Sequence, residues 1–133
     1  MPRPLPRFPE RDSQPFWEAT KNHELKYQKC GDCGTVVFYP KHHCTSCGSS
    51  NLTWQTSKGV GNVYTYSIVR ANRSPAFMEY VPYVLAYVDL DEGFRMMTNI
   101  VGTARPDDVK VGMRVKVKWE DHEEVALPLF EPA

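Results

Sequence analysis

The stretch Cys30-Gly31-Asp32-Cys33-Gly34-Thr35-Val36-Val37-Phe38-Tyr39-Pro40-Lys41-His42-His43-Cys44-Thr45-Ser46-Cys47-Gly48 decides the fold. It holds all four cysteines of the chain as two C-x-x-C pairs, and each pair runs directly into a glycine. Four thiolates at this spacing form a tetrahedral set suited to zinc, with Zn–S bonds of about 2.3 Å. The glycine has its own reason, because a metal knuckle turns the backbone sharply and its exit residue often needs φ > 0. Between the pairs, Val36 to Tyr39 is apolar and stops at Pro40, which predicts a small β-ribbon with a knuckle at each end.

Other uses of the cysteines fit the sequence less well. Four cysteines admit three disulfide pairings, but no apolar leader follows Met1, which points to a reducing, cytoplasmic setting. Thiol redox chemistry suits one C-x-x-C pair better than two adjacent ones. Catalytic zinc keeps an open coordination position, whereas four cysteines fill the shell, so the metal is expected to be structural. His42 and His43 stand beside Cys44 as substitute ligands in a minority reading, and are otherwise solvated loop residues. A ribbon of this size buries too little to fold by itself. A structural zinc supplies on the order of 10–16 kcal/mol in finger-type peptides.

Outward from the ribbon, the chain divides into an extended proline-rich arm over 1–12, a helix with the ribbon over 13–57, and a barrel over 58–133. Five of the eleven prolines lie within the first fifteen residues, so the arm is extended. Asp12 or Ser13 is placed to cap a helix over 13–22, with Pro15 in its first turn; its aromatic pair Phe16 and Trp17 docks it onto the body or, if exposed, marks a partner surface. Residues 25–29 and 52–56 alternate apolar and polar and flank the knuckles as strands. From Gly59 the pattern is β throughout. Strands are expected at 60–69, 83–90, 94–101, 113–120 and 126–130, with a bulge or strong coil at Gly59 and Gly61. Residues 72–79 read as a loop. Asp91-Glu92-Gly93 reads as a hairpin turn, and Pro106 to Val109 as a single helical turn. Five strands with a helical turn between the third and fourth is the order of an OB-type barrel, so the fold class is mainly β: helix, rubredoxin-like zinc ribbon, five-stranded OB barrel.

The chain has 133 residues, 16 basic and 16 acidic, and no apolar run of the ~20 residues a bilayer span requires, so no membrane association is expected. Residues 1–58 carry 8 basic and 5 acidic side chains, +3, and the remainder 8 and 11, −3. Phosphate binding usually leaves a clear basic excess, which lowers the weight of a nucleic-acid reading. No GxSxG, P-loop, HExxH or spare cysteine occurs. Asp89, Asp91 and Glu92 read as solvated turn acids, and His23 and His122 as isolated surface residues.

Several phrases together resemble one family. They are Phe16-Trp17-Glu18, the run 25–33, Val37-Phe38-Tyr39-Pro40, the run 59–66, Pro82-Tyr83-Val84, the run 88–93, and Val111-Gly112-Met113-Arg114-Val115. This is domain of unknown function family 35, the acyl-CoA-associated OB-fold/zinc-ribbon proteins, and the likeness runs from about Phe16 to Phe130 with all four cysteines present. The resemblance implies a non-catalytic cytoplasmic subunit in a hetero-oligomer. Its partner would be a thiolase-superfamily enzyme: an acyltransferase, a thiolase, or a lipid-transfer-type aldolase that shortens steroid side chains. A hot-dog-fold hydratase is a further implied partner. It implies one structural zinc on Cys30, Cys33, Cys44 and Cys47, no catalytic residue in this chain, and a coenzyme A thioester at the partner interface.

For that interface the sequence offers Phe16, Trp17, Tyr66, Phe77, Tyr80 and Tyr83, since aromatics are enriched at such surfaces. Arg70 and Arg73, with the Arg114/Lys116/Lys118 face, suit coenzyme A phosphates, an acidic partner or plain solvation. The alternative is an OB-fold single-stranded nucleic-acid module, with Tyr64, Tyr66, Arg70 and Arg73 as its face.

Overall fold

The structure, a computed structural model, describes residues 4–7 and 10–133. Its elements are α1 (Gln14–Thr20), β1 (Lys26–Cys30), β2 (Val36–Val37), β3 (Leu52–Thr56), β4 (Val60–Val69), α2 (Pro75–Met78), β5 (Tyr83–Leu90), β6 (Arg95–Ile100), a 3-10 turn (Pro106–Asp108), β7 (Arg114–Asp121) and β8 (Ala126–Pro132). The ribbon is a three-stranded sheet in the order β2-β1-β3, and the rest is a closed barrel in the order β4-β5-β6-β8-β7. All barrel pairings are antiparallel except β6 with β8, which meet in parallel at Ile100 and Phe130. The mainly β class, the ribbon and the five-stranded OB barrel stand as expected from sequence. Of the proline-rich arm, residues 4–7 have no regular structure, and residues 1–3, 8 and 9 lie outside the described residues.

Alternation is what builds the barrel. β5 alternates buried with more exposed side chains, sending Val84, Ala86, Val88 and Leu90 inward, and β6 sends Met96, Thr98 and Ile100. β4 breaks the rule once. Its register with β5 shifts between Val63 and Thr65, so the inward set changes from Gly61 and Val63 to Tyr66 and Ile68. The bulge is therefore at Tyr64, not at the glycines where it was expected. The glycines serve close approach: a Cβ on Gly61 would stand 2.2 Å from the Asp89 carbonyl oxygen, and one on Gly59 2.5 Å from Val117 Cγ1.

The core does not stop at the ribbon–barrel junction. One cluster joins Phe16 of α1 and Leu25 to Val63, Val88, Phe94 and Phe130 of the barrel. Phe94 stacks with Tyr27 at 5.0 Å and with Phe38 at 4.6 Å between ring centroids. The linker is gathered by Glu92, whose carboxylate accepts from Ser57 Oγ at 2.6 Å and from Lys58 N at 2.8 Å. Asp89 pairs with Arg95 at 2.6 Å, and Asp91 with Arg114. None of these three acids is a merely solvated turn residue, which corrects the sequence reading.

Three further expectations need correction. Ser13 is the N-cap residue of α1 and Pro15 lies in the first turn, as expected, but the Ser13 hydroxyl bonds the Glu10 carbonyl oxygen and caps no helix N–H. The helix closes on bonds from Glu24 N to Ala19 O and from His23 N to Thr20 O, the pattern in which the chain turns through a left-handed residue. That residue is His23, at φ 58 in place of the usual glycine. Its ring stacks on Trp119 at 5.5 Å and its Nε2 lies 2.6 Å from Asp121, so it is anchored rather than isolated. His122 Nε2 likewise lies 2.7 Å from Glu120. Finally, residues 75–78 form the short helix α2, where only loop was expected.

Candidate metal centre and partner surface

The two knuckles are built alike. Cys30 N donates to Thr35 O and Cys44 N to Ser49 O, while Gly34 N donates to Cys30 O and Gly48 N to Cys44 O. Gly34 and Gly48 take φ of 77 and 78, the left-handed turn inferred from their place after each pair. Backbone N–H groups point at the sulfurs: Cys33 N lies 3.5 Å from Cys30 Sγ, and Ser46 N 3.3 Å from Cys44 Sγ. The leading cysteines, Cys30 and Cys44, are buried, and Cys33 and Cys47 are exposed.

All four sulfurs lie within 4.8 Å of one another and none is in a disulfide. The Cys30–Cys47 and Cys33–Cys44 separations are 3.6 and 3.5 Å. A tetrahedral zinc with 2.3 Å bonds has sulfur–sulfur edges of about 3.8 Å, so the donor set fits that ion in number, chemistry and spacing. The crowding also splits the thiols electrostatically. Thr35, through side chain and backbone, holds Cys33 down to about 6. Although the Ser49 backbone N–H lowers it, Cys47 is pushed up to about 12 by the neighbouring Cys33 and Cys30 sulfurs. Four thiolates at this distance call for a cation among them. His42 and His43 are exposed and stand outside the cluster.

Two side chains brace the loops that carry the cysteines. Gln28, 4% exposed, accepts from Lys41 N at 2.8 Å and donates to Lys41 O at 2.9 Å, acting as a piece of strand against the approach to the second knuckle. Asp32 on the first knuckle accepts from Ser49 Oγ and from Asn51 Nδ2 beyond the second. The Ser49 bond, then the Asn51 bond, keep its carboxyl below the usual range.

The aromatic and basic residues expected at an interface are only partly brought together. Phe16 is 4% exposed and belongs to the core, so it is no surface contact. Trp17 is half-buried beside it, with ring centroids 4.9 Å apart. Tyr66 packs on the barrel core. Phe77 sits 6.4 Å from Tyr80 and 6.2 Å from Tyr83, and the three half-buried rings wall a cavity of about 340 Å³ with Asn99 and Thr103. Arg70 is paired with Asp107 at 2.9 Å, and Arg73 is exposed. Lys118 pairs with Glu131 at 3.6 Å. Tyr64 lies under the Arg95 guanidinium, 3.4 Å from its ring centroid, so the basic–aromatic strip of the nucleic-acid alternative is not assembled as one face.

Comparison with known proteins places this architecture. Residues 17–53 match the family described as "ChsH2, rubredoxin-like zinc ribbon domain", and residues 54–120 match "ChsH2, C-terminal OB-fold domain". A solved structure described as "Ltp2-ChsH2(DUF35) aldolase" superposes with a TM-score of 0.85 at 38% identity, covering 96% of this chain and 98% of that one. The "3-oxo-4,17-pregnadiene-20-carboxyl-CoA hydratase alpha subunit" of Mycobacterium tuberculosis is 33% identical over 92% of this chain and 38% of its own length. A "DUF35 domain-containing scaffold protein" of Pyrococcus furiosus is 34% identical over 77% of this chain and 75% of its own length. The chain spans about two fifths of the length of the curated hydratase subunits it matches. From its two knuckles to its closed barrel, the chain belongs to the ChsH2 (DUF35) family of zinc-ribbon/OB-fold proteins.

Proposed function

We propose that this chain is a non-catalytic accessory subunit of an acyl-CoA enzyme, and that the enzyme is a thiolase-like aldolase or acyltransferase acting on a lipid or steroid thioester. The observation that carries the reading is the near end-to-end likeness to the chain of the Ltp2-ChsH2(DUF35) aldolase at 38% identity. A relative described as a steroid-CoA hydratase subunit and another described as a scaffold protein support the same role. In this reading Cys30, Cys33, Cys44 and Cys47 hold one zinc that keeps the ribbon folded, and carbon–carbon bond chemistry belongs to the partner. The division into an arm over 1–12, a helix–ribbon unit over 13–57 and a barrel over 58–133 is part of it. Trp17, Arg70, Arg73, Phe77, Tyr80 and Tyr83 face the partner or its coenzyme A path, with Arg73 the exposed cation for a phosphate, while Tyr66 stays packed on the barrel core. A hot-dog-fold hydratase is a second partner class, suggested by the hydratase relative. The setting is the cytoplasm; no helix of the described residues is long and apolar enough to cross a membrane.

The test is affinity isolation of the tagged chain from its own cells with mass spectrometry of what accompanies it. A thiolase-superfamily enzyme in stoichiometric amount is expected. A chain recovered alone, or with nucleic acid that salt removes, would contradict the reading.

A further inference from the structure

The barrel closes through one short pairing. β6 and β8 share a single backbone pair in register, Ile100 with Phe130. Beside that pair, Thr98 Oγ1 donates to Pro128 O of β8 at 2.8 Å, and Met97 N turns to the Tyr39 hydroxyl of the ribbon at 2.9 Å. What remains is an apolar groove of about 400 Å³ between α1 and the barrel, walled by Trp17, Tyr39, Leu85, Met97, Leu127 and Leu129. Among the described residues, no side chain that lines it carries a charge.

The lip is unusually exposed for such residues. Tyr39 is 48%, Leu85 37% and Met97 50% exposed, and Tyr87, opposite Met97 in the ladder, extends the patch onto the sheet at 42%. A continuous apolar face of this kind on a soluble domain marks a contact. The charged pair nearest in the ladder, Asp89 with Arg95, is closed on itself and lies against Tyr64, leaving the face without net charge. Its complement is therefore neutral. Coenzyme A phosphates find no cation among the described residues here. A small hydrocarbon ligand would keep its outer side in water, whereas small-molecule sites bury about 70–90% of their ligand. Of the chain's own arm, Pro4 reaches the groove, and the lip stays exposed beside it. A protein ridge can cover groove and lip together, and tyrosine, tryptophan and methionine are the residues enriched where that happens.

The geometry points to this groove as the seam that docks the thiolase-like partner, by receiving an uncharged helix or loop ridge of aliphatic and aromatic side chains from that enzyme. The inference rests on the accessory-subunit reading and names its contact. The experiment uses the full chain and the thiolase-superfamily enzyme identified by affinity isolation, each purified, with affinity read by calorimetry. Leu85→Glu and Met97→Glu place a charge on outward side chains; Val111→Glu, on an apolar residue 67% exposed outside the groove, is the control. Loss of an interface anchor costs at least a factor of roughly 30 in Kd. That loss is expected for both groove variants, with zinc content and melting temperature unchanged and Val111→Glu binding as wild type. Full affinity in both groove variants would overturn the inference while leaving the accessory role intact. So would a wild-type homodimer, seen by sedimentation, that the groove variants abolish. If no thiolase-like enzyme binds the wild-type chain, the accessory reading itself fails.

Discussion

Phe38 of the ribbon stacks on Phe94 of the barrel with ring centroids 4.6 Å apart and planes inclined by 28°. Phe94 is 6% exposed and follows the β5–β6 turn, so a barrel residue supplies the floor of the ribbon. Phe94→Ala removes the ring that both Phe38 and Tyr27 lean on. Truncating a buried Phe costs about 3–5 kcal/mol. Urea unfolding followed at tryptophan and by hydrogen exchange checks this; the expected result is a loss of that size, with ribbon amides losing protection along with barrel amides.

Thr20 ties α1 to the last strand. It is fully buried, donates to the Trp17 carbonyl and accepts from Ala126 N at 3.2 Å. Thr20→Val keeps the shape and strands the Ala126 N–H, which costs about 1–3 kcal/mol. Thr20→Ser, which keeps the hydroxyl, should recover most of it in the same denaturation experiment.

Acid sensitivity has a local source. Arg114, by hydrogen bond first and then by charge, holds the Asp91 carboxyl below its ordinary value of 3.8. A carboxylate whose folded pKa is lowered contributes stability that is complete above its unfolded pKa, and that is lost as pH falls through the folded value. Asp91→Asn should therefore destabilise the protein at neutral pH and make the melting temperature fall less steeply below roughly pH 4. An unchanged slope would exclude the pair as a contributor.

The metal prediction follows from the knuckles. Cys30→Ser and Cys47→Ser each remove one sulfur from the four-member cluster. Protein purified without added metal should carry one zinc per chain by elemental analysis, and either variant should carry little. Hydrogen exchange in β1, β2 and β3 should rise in the variants before exchange in the barrel does.

What was legible in the sequence was what is local. Two C-x-x-C-G phrases specify their own turns, and strict alternation over residues such as Met113 to Trp119 specifies a strand, because the signal repeats every second position. The family resemblance rested on the same local phrases. Features made by distant partners left no such trace. Gln28 finds Lys41 thirteen residues away, and Thr20 finds Ala126 across 106. Nothing near either residue signals the bond. Tyr64 and Tyr66 look like one face of a strand until a bulge, set by the partner strand, sends Tyr66 inward. Tyr39 and Met97 were absent from the expected interface because the groove they border forms only where the ribbon and α1 meet the barrel. Helix α2 is four residues long and opens on a proline, too short for any periodicity to show.

The accessory role is tested most directly by thioester cleavage or condensation measured for the partner enzyme alone, for this chain alone, and for the two reconstituted together. It predicts no turnover by this chain, and partner activity that rises when the chain is added. Turnover by the isolated chain, or a partner whose stability and rate ignore its presence, would contradict it.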